Sequence, residues 1–168
     1  KWDGAAWSEV GLGFDQAVYA LVYQGGILYA GGAFTSATDA SDSIVANKIA
    51  KWDGADWTPL GYGLDNAVFA LSADGGGNVY AAGFFQNYYL DNTSTSSAPL
   101  KYIAMWDGAG WNELDSGLNA PVYSLALDGA GDLYAGGTFF GYYLDDGYFD
   151  SAVANHIAKW DGASWSGV

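Results

Sequence analysis

Short apolar runs, each bounded by glycine, aspartate or asparagine, alternate with polar loops along the chain. The runs occupy residues 17–21, 67–71 and 121–125, and again residues 28–32, 79–83 and 133–137. They are rich in β-branched and aromatic residues, which is typical of strands. No stretch keeps an apolar period of about 3.6 residues, so no helix is predicted. The pattern therefore predicts an all-β chain.

All eight tryptophans belong to four copies of one hexapeptide, Trp-Asp-Gly-Ala-x-Trp. The copies begin at Trp2, Trp52, Trp106 and Trp160 and end at Trp7, Trp57, Trp111 and Trp165. Their starts are 50, 54 and 54 positions apart. Aspartate can bond its own backbone and glycine accepts a positive φ, so the Asp-Gly pair suits a tight turn between strands. The tryptophans are therefore predicted to be structural markers of a repeat.

Each full repeat contains four predicted strands, which we call a, b, c and d. Strands a and b are the two kinds of apolar run, and the hexapeptide joins strand c to strand d. Repeated four-stranded antiparallel units of this length are typical of β-propeller blades. We therefore expect a single domain, 1–168, with an extra N-terminal c–d hairpin at 1–10. The three predicted blades span about 17–60, 67–114 and 121–167.

The repeat resembles a known kind of propeller repeat. A glycine-linked first strand, then Leu-Tyr-Ala-Gly-Gly at 28–32 and 133–137, then the Trp-Asp-Gly turn, is similar to the kelch repeat of galactose-oxidase-type propellers. It is more similar still to the Trp-Asp-Gly-x-x-Trp repeats of bacterial secreted and surface proteins. The resemblance implies a propeller fold and an extracellular or cell-surface location. The oxidase's copper and tyrosyl-radical residues have no counterpart here.

Composition and charge narrow the choice of partners. The chain has 19 acidic residues against five lysines and no arginine, for a net charge of −14. Binding to nucleic acid or to an anionic membrane needs clustered basic residues, so neither partner is expected. Because there is no cysteine, disulfides and thiolate chemistry are excluded. No apolar run reaches the roughly 18 residues of a membrane span, so no membrane insertion is expected.

The predicted strands do not complete a ring. Three blades and one spare hairpin fall short of the roughly four to eight blades of closed propellers. Two explanations stay open: the sequence is a piece of a longer repeat protein, or several copies complete a ring or continue into a filament. Both ends carry the same c–d half, so simple complementation of two half-blades does not work.

The b–c loops carry the candidate binding residues, because loops on a rigid scaffold often bind partners. Two of these loops contain Tyr-Tyr-Leu-Asp, which places Tyr88, Tyr89, Tyr142 and Tyr143 at matching positions. Tyrosines of this kind stack on sugars, bury in subunit contacts or pack internally. All three interpretations stay open for these four residues.

Three other features have simple interpretations. Asp145, Asp146 and Asp150 are weak candidates for calcium, and Asp39 and Asp42 are weaker ones. Solvated acidic loops are the favoured interpretation, so no metal or other cofactor is assigned.

Asn92-Thr93-Ser94 is an N-glycosylation sequon, which marks Asn92 as a candidate for modification in a surface loop. The sole histidine, His156, aligns with Lys48 and Tyr102 in the sister repeats. A residue replaced so freely is predicted to lie at a strand edge, and without a second histidine or a cysteine no triad can be built around it. No catalytic residue is predicted.

These observations favour a non-enzymatic, extracellular structural protein that assembles with itself into a ring or filament. The alternative is a carbohydrate-binding or adhesive propeller module with glycans as partners. Nothing in the sequence points to an enzyme.

Overall fold

The computed structural model describes residues 1–39, 42–143, 149–150 and 154–168, and these residues form strands and turns without a helix. The strands are β1 (Gly13–Phe14), β2 (Val18–Gln24), β3 (Ile27–Gly32), β4 (Ser36–Thr38), β5 (Ser43–Val45), β6 (Ile49–Trp52), β7 (Trp57–Pro59), β8 (Val68–Ala73), β9 (Val79–Gly83), β10 (Asn87–Tyr89), β11 (Ser97–Pro99), β12 (Ile103–Trp106), β13 (Trp111–Asn112), β14 (Val122–Leu127), β15 (Leu133–Gly137), β16 (Tyr142–Tyr143), β17 (Phe149–Asp150), β18 (Ile157–Trp160) and β19 (Trp165–Gly167). Across these described residues, none lies in a helix with the length and apolar content needed to cross a membrane.

Three four-stranded antiparallel sheets form the body of the molecule. Sheet 1 has the order β2-β3-β6-β7, sheet 2 the order β8-β9-β12-β13, and sheet 3 the order β14-β15-β18-β19. Each sheet is a meander in which strands a to d follow one another, with a bulge near the start of strand a. The predicted all-β class and the four-stranded antiparallel units are therefore confirmed. The arrangement of the sheets as propeller blades stays a prediction.

The b–c loops are more regular than the sequence analysis expected. They contain the strand pairs β4-β5, β10-β11 and β16-β17, and in the first repeat β1, from the linker before strand a, adds a third strand beside β4. A side chain from the linker before strand a caps each loop. In the second repeat, Asp65 accepts hydrogen bonds from the backbone N–H groups of Gln86 (2.9 Å) and Asn87 (3.1 Å). Asp15 and Asn119 play the same part in the first and third repeats.

The hexapeptide turns are alike in all four copies. In the third copy the Asp107 carboxylate accepts hydrogen bonds from the N–H groups of Ala109 and Gly110, both at 2.8 Å. Gly108 has φ of 96°, a conformation that glycine adopts without strain. The hydrogen bonds from Ala109 and Gly110 lower the pKa of Asp107. The pKa of the matching aspartate is lowered by the same kind of backbone bonds in the other copies, at Asp3, Asp53 and Asp161.

The core lies mainly between consecutive sheets. One apolar cluster joins sheet 1 to sheet 2, and a second joins sheet 2 to sheet 3. Phe34, Phe85 and Phe139 are fully buried at matching positions, two residues after strand b. All three follow a glycine in a Gly-x-Phe spacing, which is a signal of this buried position in the sequence. Burial of one such ring stabilises the fold by roughly 1.5–3 kcal/mol.

Candidate functional site

Each sheet has two faces with different neighbours. We call the face toward the preceding sheet the leading face, and the face toward the following sheet the trailing face. On sheet 1 the trailing face carries Gly31, which approaches Val68 and Leu71 on the leading face of sheet 2. A Cβ atom at Gly31 would lie 2.5 Å from Val68 Cγ1, so only glycine fits there without movement. The apolar cluster at this junction also contains Ile49.

The junction between sheets 2 and 3 repeats the same pattern. Val122 pairs with Gly137 as Val68 pairs with Gly83, so the two valines are equivalent by register. Both valines are fully buried. Ile103 is equivalent to Ile49, and both are buried against the following sheet. The two internal junctions are thus built from the same positions.

The leading face of sheet 1 is uncovered. Val18 and Leu21 match Val68 and Leu71 by register, yet Leu21 is 60% exposed and Val18 is exposed as well. Tyr23, on the same strand, is also exposed. An apolar groove of about 570 Å³ runs beside them and is lined in part by Trp7, Leu21, Tyr23, Leu28 and Trp52.

The trailing face of sheet 3 is uncovered in the same way. Ile157 is 41% exposed, whereas the equivalent Ile49 and Ile103 are buried. Val168 is also exposed, although Leu60 and Leu114, three residues after the matching tryptophans, are buried. Gly136 occupies the position of Gly31 on this face.

The N-terminal hairpin covers only the outer part of the leading face. An antiparallel bridge joins Trp2 to Trp7, and their rings lie 5.5 Å apart. Residues 1–9 are all exposed. The attachment is a hydrogen bond of 3.2 Å from Trp57 Nε1 to the carbonyl of Val10, with Val10 packed against the buried cluster of sheet 1. The hairpin therefore leaves the groove open.

The internal junctions contain the same tryptophan bond. Trp111 Nε1 donates to the carbonyl of Leu60 at 3.3 Å, and Trp165 Nε1 donates to that of Leu114 at 2.9 Å. In each case the acceptor belongs to the preceding repeat. The hairpin 1–10 thus occupies the place that a preceding c–d hairpin takes at the internal junctions.

A row of aromatic side chains is a second candidate surface. Tyr19, Phe69 and Tyr123 are the second residues of strands β2, β8 and β14, and neighbouring rings lie 5.2 and 5.7 Å apart. Phe84 packs beside this row at 5.5 Å from Phe69. Tyr19, Tyr123 and Phe84 are exposed. This surface was not predicted from the sequence, although an aromatic residue at the same strand position in every repeat is a readable signal.

The predicted loop tyrosines lie in different environments. Tyr142 is buried in the junction between sheets 2 and 3, and Tyr88 packs against the junction between sheets 1 and 2. The Tyr143 ring lies 3.6 Å from the ammonium group of Lys101. Tyr89 lines a small groove of about 180 Å³ together with Tyr62. Two of the four tyrosines are therefore tied to internal packing, whereas Tyr89 and Tyr143 are half-buried.

His156 lies in a turn that all three repeats share. Its φ of 69° matches 69° at Lys48 and 70° at Tyr102, and its carbonyl accepts a hydrogen bond from Gly137 N as theirs do from Gly32 N and Gly83 N. The fold therefore depends on the backbone conformation and the carbonyl at this position, whereas the side chain differs between repeats. Asn92 is exposed at the end of the β10-β11 hairpin.

The acidic candidates form no recognisable metal site in the part of the chain that the structure describes. Asp39 is buried and accepts a hydrogen bond from the N–H of Asp42. Asp145 and Asp146 lie outside the described residues, as does the side chain of Asp150.

One ion pair lies on β18 beside the uncovered trailing face. Lys159 Nζ lies 2.8 Å from Asp132 Oδ2, and the hydrogen bond and charge of Asp132 raise the pKa of Lys159. Both side chains are partly exposed, so this pair adds little to stability.

No family model and no curated protein matches this chain. Among solved structures, the computationally designed Ika8 protein is similar, with a TM-score of 0.51 over 94% of this chain at 14% identity. The chain spans about half of that protein, 48% of its length. At this identity the likeness shows the fold alone.

Proposed function

We propose that this protein is a non-enzymatic structural component that assembles with itself through propeller-type repeats into a ring or filament outside the cell. The observation that carries the proposal is the pair of uncovered faces. Leu21 and Ile157 are exposed at positions whose equivalents are packed between sheets. Large uncovered apolar surfaces are typical of protein contacts. The extracellular location rests on the resemblance to bacterial surface repeats.

Assembly is tested with the whole chain by light scattering coupled to gel filtration, followed by negative-stain electron microscopy. We expect rings or filaments that grow with concentration at micromolar levels. Because the chain carries a net charge of −14, added salt should favour assembly by screening repulsion between copies. A 17.6 kDa monomer throughout this range would contradict the proposal.

The aromatic row favours a second candidate function, the binding of carbohydrate in an adhesive module. Exposed rings such as Tyr19 and Tyr123 offer flat apolar faces on which sugar rings stack. A glycan array tests this function. Selective binding that is lost in Tyr123→Ala and kept in Tyr62→Ala, another exposed tyrosine, would support it.

A further inference from the structure

We infer that a second copy of this chain docks its sheet 3 onto the leading face of sheet 1, and that hairpin 1–10 must move aside for it. The inference rests on the proposed self-assembly and names its interface. It follows from the repeat itself, because the two internal junctions show which residues cover each face.

The two uncovered faces carry the two halves of one junction. Inside the chain, Gly31 on a trailing face receives Val68 and Leu71 from a leading face. The trailing face of sheet 3 offers the equivalent Gly136, and the leading face of sheet 1 offers Val18 and Leu21. Like the internal junctions, the contact between copies joins two different faces, so it continues head to tail.

Ile157 adds apolar contact to the same interface. At the internal junctions, Ile49 and Ile103 are buried beside the glycine or alanine on the strand next to them. Ile157 lies beside Gly136 in the same register and is exposed. Docking would bury it against the first sheet of the next copy.

The hairpin 1–10 stands where the docked copy must place its own c–d hairpin. Trp57 Nε1 donates a hydrogen bond to the carbonyl of Val10, as Trp111 Nε1 does to the carbonyl of Leu60 in the preceding repeat. A docked sheet 3 brings β18 and β19 to that position, so the two hairpins compete. Because residues 1–9 are exposed, releasing the hairpin breaks mainly the packing of Val10 and its hydrogen bond from Trp57. The hairpin thus acts as a weak cap on assembly.

Deletion of residues 1–10 tests the cap. We expect the shortened chain to assemble at concentrations about tenfold lower than the whole chain, measured by light scattering. Far-UV circular dichroism and a cooperative unfolding transition show whether it folds. Trp2→Ala/Trp7→Ala in the whole chain loosens the hairpin without deletion and should shift assembly in the same direction. Weaker assembly in either folded variant would overturn the inference.

Charge substitutions test the two faces. Leu21→Asp and Ile157→Asp should each prevent assembly, and Leu90→Asp is the control with equal charge on a loop. An equal mixture of the first two should yield a two-chain complex, because each variant keeps the face that the other has lost. Recovery of this complex would exclude a contact between two identical faces.

Cross-linking gives a direct test of register. The chain has no cysteine of its own. A Cβ atom at Gly31 would lie 3.0 Å from Val68 Cβ, close to the roughly 3.5–4.5 Å separation of a disulfide. Val18→Cys and Gly136→Cys chains should therefore form a disulfide-linked pair when mixed. Val18→Cys with Leu90→Cys should not.

The outcomes separate this interface from self-assembly in general. If Leu21→Asp or Ile157→Asp assembles as Leu90→Asp does, another surface joins the copies; the inference falls and the proposed function stands. If the whole chain, the shortened chain and the mixture all stay monomeric, both fall.

Discussion

The hairpins at 2–7 and 106–111 have the same hexapeptide and different surroundings. Their tryptophan rings lie 5.5 and 5.4 Å apart, and each turn is held by the same aspartate bonds. Trp111 is nevertheless buried against Leu60 of the preceding repeat, whereas Trp7 is 79% exposed. Contacts within these two hairpins are therefore alike, and contacts with the neighbouring repeat decide whether the second tryptophan is buried.

The largest expected effect comes from removing a tryptophan at an internal junction. Trp111→Ala deletes a buried ring and leaves the Leu60 carbonyl without its donor. We expect a loss of about 3–5 kcal/mol in the free energy of unfolding. The matched change Trp7→Ala should alter it by less than about 0.5 kcal/mol. Urea unfolding of both variants as monomers measures the difference, and equal losses would show that the two hairpins contribute equally to stability.

The next largest loss of stability is expected from substitutions of the glycines on the trailing faces. Gly31→Ala forces a methyl group against Val68, and we expect a loss of about 1–3 kcal/mol. At Gly136 the added methyl group meets the Ser124 hydroxyl, which can rotate away. Gly136→Ala should therefore cost less, as measured by thermal unfolding at low concentration. A greater loss at Gly136 would contradict the assignment of the open face.

Removal of the aspartate that caps a b–c loop should lower the free energy of unfolding equally in the first and second repeats. Asp65→Ala and Asp15→Ala each remove hydrogen bonds to two backbone N–H groups within one repeat. We expect each to cost about 1 kcal/mol. Urea titration of the two variants checks this equality. A far smaller cost for Asp15 would mean that the first repeat is poorly ordered as a whole.

Acidification should produce the smallest effect. The pKa of Asp107 is lower in the folded protein than its ordinary value of 3.8, so its backbone bonds stabilise the fold above that pH. This contribution is lost as the pH falls from about 3.8 through the lowered pKa. Asp107→Asn should flatten the pH dependence of unfolding slightly. Asp3→Asn should flatten it by a similarly small amount, because the same kind of backbone bonds lowers the pKa of Asp3, and NMR titration of the two aspartates checks both lowered pKa values.

A mismatch between the number of hexapeptides and the number of full repeats already pointed to the candidate site. Four hexapeptides for three full repeats indicated one hairpin without its own a and b strands. Leu21 and Ile157 could not be singled out from the sequence, because both have the same apolar character as their equivalents, which pack between sheets. The b–c segments were predicted as variable loops, because strands of two or three residues leave too little pattern to read. The loop tyrosines looked equivalent, yet Tyr142 is buried and Tyr143 lies beneath Lys101.

The repeat, the main strands and the turns follow from the amino-acid sequence, because strand patterns and Asp-Gly turns depend on residues close together in the chain. The packing of the sheets determines which copy of each residue is buried. Val18 and Val68 follow the same local rules, but a preceding complete sheet covers only Val68. The burial of a side chain depends on the sheet that packs against it across the junction, and that sheet belongs to a neighbouring repeat.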